Sequence, residues 1–213
     1  MSRGMHIVGG VGMIMLAVAA LGYFIMEWVY ENTGISGLVA RVGLLVLSIL
    51  VGVAITLAGL GWFGVSRKTG NMLAMLSFVL ALIFAWWLLV ADAIRVVGYD
   101  LGLGVGPVIL ETLLGGDPLR IHHVILFAGH LFLGIVFILW GVTAIVLADK
   151  FSVKGLSIAA GALFLVAGIG YCISFLGFVD WFFFYLQFGA IILPVAAILM
   201  AVLLFMTPAK KSA

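Results

Sequence analysis

Six stretches of this chain stay apolar for close to the twenty residues that span a hydrocarbon core, and no other feature narrows its fold so far. They run over 7–29, 39–63, 72–97, 121–147, 156–178 and 182–206. Lipid offers no hydrogen bond to a bare amide or carbonyl, so each crossing segment must close its own bonds as a helix. The expected fold is an all-α membrane bundle, a single domain over 1–213 with six transmembrane helices. Composition agrees, with 66% hydrophobic and only 8% charged residues. The first run passes the A-V-A of Ala17 to Ala19, a pattern also seen at signal-peptide cleavage sites, and continues to Val29. It is therefore read as a membrane helix that is kept.

Charge placement orients these segments. Arg3, Arg67, Lys68, Lys150, Lys154, Lys210 and Lys211 fall on one side if all six cross, and Arg41, Arg95 and Arg120 on the other. The richer side is expected to be cytoplasmic, with both termini there, in the cell membrane. The net charge of +2 is scattered, singly or in pairs, which excludes a nucleic-acid face. The expected partners are the bilayer and either a second copy or other subunits of a membrane complex. One cysteine, Cys172, allows neither an intrachain disulfide nor a thiolate metal cluster.

The loop 98–119 is the one long connection, placed outside. Its Gly102, Gly104 and Gly106 lack the spacing and the strand–helix context of a phosphate loop. Pro107 instead predicts a short interfacial helix over 108–114. Asp117 and Pro118 then supply an N-cap and a first helical residue for the fourth span. On that span His123, Phe127, His130, Gly134, Phe137, Gly141 and Ala144 share a face, leaving Leu131, Leu133, Ile135 and Leu139 for lipid or apolar neighbours. His130 lies ten residues past Arg120, roughly 15 Å down the axis, where a polar ring must meet something other than lipid.

Small residues mark packing seams: Ser48, Gly52 and Thr56; Ser77, Ala81 and Ala85; Gly134 and Gly141; Gly170 and Ser174. The second and third helices, and the fourth and fifth, are expected to form two similar tight hairpins. Tyr23, Trp28, Tyr30, Trp86 and Trp87 are expected in an outer aromatic belt, and Trp62 and Trp140 toward the inner side. The segment from Leu131 to Gly170 resembles, in its glycine spacing, the repeat hairpins of six-helix acid-resistance-type membrane proteins. It runs in the opposite sense across the membrane, and the resemblance implies no function here.

Candidate chemistry gathers in two places. Asp92 and Arg95 can pair near the outer end of the third helix, joined there by Glu27, Arg41, His122 and His123 as an outer polar cluster. His130 is the deepest polar point, suited to a proton relay, a quinone hydrogen bond or a haem axial position. Pro194 interrupts the sixth helix near mid-membrane, frees the carbonyl of Ala190 and lies two turns past Gln187. No HExxH, GxSxG or paired-aspartate pattern is present, so no catalytic or metal residues are expected and an enzyme is disfavoured. The leading expectation is a non-catalytic module without cofactor: a small transporter, an ion or proton pathway, or an accessory subunit. The alternative is a redox-linked subunit holding quinone or haem b beside His123 and His130. With His6 at the inner edge and the other histidines on one helix, only a Met or the same histidine of a second copy could complete a haem ligand pair.

Overall fold

A computed structural model describes residues 2–32, 37–95, 118–174 and 185–207; nearly all of these are helical and none is in a strand. The elements are α1 (Ser2–Asn32), α2 (Gly37–Thr69), α3 (Met72–Phe84), α4 (Trp87–Arg95), α5 (Pro118–Val146), α6 (Lys154–Ser174) and, after a π-helical segment at Tyr185–Ile192, α7 (Leu193–Met206). Among the described residues six helices are long and apolar enough to cross a membrane. The expected short helix over 108–114 lies outside the described residues.

Both the inside and the outside of this bundle are apolar, so side-chain size, not polarity, sorts the faces. Ala54, Ala58, Ala74, Ala81, Ala85, Ala160 and Ala196 are fully buried, while Val18, Val39, Ile25, Ile83 and Val146 point outward. Small residues let backbones approach closely and gain dispersion contacts, whereas branched chains lose nothing by facing lipid tails.

The helices close into a ring. α1 packs on α2, α2 on α3 and α4, these on α5, α5 on α6, α6 on α7, and α7 back on α1. The most extensive contacts are α1 with α2 and α5 with α6. A Cβ built on Gly61 would stand 2.8 Å from the Gly9 Cα, and one on Gly141 would stand 2.6 Å from the Gly161 carbonyl. Gly134 and Gly168 make the same reciprocal approach, each 2.7 Å from the other's carbonyl oxygen. The α5–α6 hairpin is thus as tight as expected. α2 also packs on α3, with Gly59 against Ala81 and Phe78, but its most extensive contact is with α1, where Gly61 meets Gly9.

The turn between α2 and α3 has a clear local cause. Gly70 takes φ +68 just past the end of α2, and its amide donates to the Ser66 carbonyl at 2.8 Å. Asn71 then caps α3, its Oδ1 accepting from the Ala74 amide at 3.1 Å.

Two breaks depart from uniform spans. The third span divides at Ala85–Trp86. Trp86 lies on Gly52 of α2, and Trp87 lies on Gly129 of α5. Two consecutive indoles are seated on two different neighbours, and the chain turns between α3 and α4 where they part. In the sixth span the kink expected at Pro194 takes the form of the π-helical segment that precedes it. A proline at 194 cannot donate to Ala190, and widening the preceding turn is one way to accommodate the lost bond.

Candidate functional site

The helix order brings all six spans to one small cavity. α1 contributes Leu16, Ala20, Tyr23 and Phe24, α2 Val51, and α4 Leu88. α5 contributes His130, Leu133 and Phe137, α6 Tyr171, the π segment Gly189, and α7 Leu193. The space between lining atoms totals about 480 Å³ with its open side, yet only about 30 Å³ is free to the centres of water-sized molecules. One water needs roughly 10–15 Å³ on that measure, so the cavity holds about two.

His130 is 3% exposed. Its ring meets the Tyr171 ring edge-on, with centroids 5.5 Å apart and planes at 83°. Tyr171 in turn meets Phe137 at 5.4 Å and 77°. Beyond Phe137 the aromatic stack continues into Trp140 and Phe164, at 5.8 and 6.0 Å, and all three rings are buried in the core. Such edge-to-face contacts fix ring orientation, so the imidazole and phenol are held in register between α5 and α6.

Below this floor a polar lock ties three helices together. Ser77 Oγ and Thr143 Oγ1 share a hydrogen bond of 3.0 Å, and Trp140 Nε1 donates to the Ser77 carbonyl at 3.4 Å. Ser157 Oγ donates to the Ala144 carbonyl at 2.7 Å. All of these side chains are buried, and each bond is worth on the order of 1 kcal/mol. Outside the spans, Asp149 and Lys154 pair at 2.7 Å across the α5–α6 turn. The Lys154 ammonium holds the Asp149 carboxyl below its usual range, by hydrogen bond first and charge second.

The outer polar cluster expected from the sequence lies outside the described residues: the side chains of Glu27, Arg41, Asp92, Arg95, His122 and His123 are not among them, nor is that of Gln187. Of the remaining expectations, His130 and Pro194 come to the same region, since Pro194 follows the cavity-lining Leu193. Gly134, Gly141 and Gly52 are seats for neighbouring helices. Leu133 is buried at 3% and lines the cavity rather than facing lipid. Tyr23 is 6% exposed and also lines the cavity, so it is no belt residue. Trp62 and Trp140 are both fully buried, packed among core residues. His6, in the first turns of α1, is 1% exposed and lies against Gly64 of α2.

Tyr171 is the site residue that the sequence reading missed. Its signal was present: a phenol within GIGYCIS, amid an otherwise apolar span. A hydroxyl in that setting needs a polar neighbour or a cavity, just as an imidazole does. No protein-family model matches the chain, and no curated protein or solved structure matches it.

Proposed function

We propose that the protein is a non-catalytic module of the cell membrane that gives a small solute or a proton a polar stopping point inside the bilayer. The observation that carries this is the meeting of His130 and Tyr171 at a water-sized cavity to which all six spans contribute. Polar rings at membrane depth are costly, and one that faces a cavity inside the bundle is where a path is to be sought. The adjoining π segment and Pro194 support the same reading, because irregular backbone at membrane depth is tolerated where it lines a cavity. The basic residues Arg3, Arg67, Lys68, Lys150 and Lys154 support cytoplasmic placement of the end where α2 leads to α3 and α5 to α6.

The redox reading fits the residues less well. Among the described lining residues His130 is the one imidazole, so a bis-histidine haem finds no second ligand there. His6 stands ten residues before Leu16 on α1, about 15 Å from the cavity along the axis.

Purified protein in sealed vesicles tests the proposal. A proton or small-solute flux above that of empty vesicles, abolished by His130→Ala in a protein that still elutes as one species, is expected. A Soret band lost in the same variant would replace this reading with haem binding. Equal fluxes in wild type, variant and empty vesicles would leave only a role in assembly.

A further inference from the structure

Resting on that pathway reading, we infer that the cavity beside His130 takes a neutral, water-sized, hydrogen-bonding molecule, water or ammonia, rather than an ion or an organic solute. Two observations carry this: size and wall chemistry.

Size comes first. About 30 Å³ of free space admits two waters or one ammonia with a water, and excludes a polyol, an amino acid or a sugar. The bundle beneath leaves no room to enlarge it, because Phe137, Trp140 and Phe164 close that side with ring-to-ring contacts.

Wall chemistry comes next. Among the described lining residues none is Asp, Glu, Lys or Arg, and most of the wall is aliphatic or aromatic. An ion entering such a space loses its hydration shell and finds no opposite charge, a penalty that the aromatic faces offset only in small part. A neutral hydride loses far less. The imidazole of His130 and the phenols of Tyr23 and Tyr171 are on the wall, groups that donate and accept hydrogen bonds.

Ala20 and Gly189 are the small residues of the wall, and they set its size. Ala20→Leu would fill the space from α1 while leaving the His130 and Tyr171 side chains themselves unaltered.

The experiment uses the full chain in sealed vesicles, compared with empty vesicles of the same lipid. Osmotic shrinkage reads water, internal alkalinisation reads ammonia, and parallel assays read protons, potassium, methylammonium and glycerol. A severalfold rise in the water or ammonia rate, removed by Ala20→Leu, is expected, and the two arms tell which molecule is taken. If protons, potassium, methylammonium or glycerol move and water and ammonia do not, this inference fails while the pathway reading stands. If water or ammonia moves equally through wild type and a folded Ala20→Leu, the route lies elsewhere and the inference again fails. If nothing moves, both fall. Should Ala20→Leu not fold, Val51→Phe fills the same cavity from α2 and is read the same way.

Discussion

The two halves of this bundle solve the same problem in opposite ways. In the half where α1 begins and α2 and α5 end, backbones meet glycine to glycine and His6 is sealed against Gly64. In the other half α5 and α6 still touch at Gly134 and Gly168, but a cavity opens beside them, His130 borders it, and the sixth span gives up regular α geometry. Both histidines are almost fully buried, at 1% and 3% exposure, so burial does not distinguish them. Room does. A buried polar ring becomes a candidate site only where a small molecule can stand beside it.

The largest effect expected from breaking this contrast is in the sealed half. Gly141→Leu drives a side chain into the Gly161 carbonyl and into the amide and side chain of Leu165, two of the three nearest atoms being backbone that has nowhere to move. Overpacking of this kind costs a few kcal/mol, so a drop of roughly 10 °C in melting temperature, or failure to purify as a single species, is expected in a detergent melt. In the cavity half, His130→Ala is expected to abolish flux in sealed vesicles with a far smaller change in melting temperature. Thr143→Val removes the Ser77 bond from the lock beneath the cavity. A loss of about 1 kcal/mol, or 2–4 °C, with flux retained, is expected in the same assays.

The smallest effect belongs to the exposed pair in the α5–α6 turn. Asp149 is held below its ordinary pKa by Lys154, so the pair favours the fold once the carboxyl is ionised. Its contribution is present at neutral pH and disappears as pH falls through the depressed folded pKa. Both groups are well exposed to solvent, so Asp149→Asn is expected to leave the melting temperature at neutral pH unchanged within error.

Much of the fold was legible because lipid leaves a chain few options. The six apolar runs, the α5–α6 glycine seam and the proline break follow from length, small-residue spacing and a missing amide. What periodicity could not show was which apolar face turns inward, since a leucine is equally at home in lipid and core. Spacing leaves Leu133 open to lipid or apolar neighbours alike, and only the packed bundle seats it, with Tyr23, Trp62 and Trp140, in the interior. Partner choice was hidden for the same cause: α2 carries small residues on more than one face, and only the packed bundle shows that Gly61 finds Gly9. His130 was visible as a lone imidazole at depth. Tyr171 was not weighed, because a tyrosine in an apolar helix reads as bulk until its hydroxyl is asked for a partner.

Water-edited solid-state NMR on ¹⁵N-histidine protein in bilayers, with each signal assigned by single His→Asn variants, compares the two rings under one condition. The account predicts rapid transfer of magnetisation from water to the His130 ring and little to His6. Slow transfer to both rings, or faster transfer to His6, would contradict it.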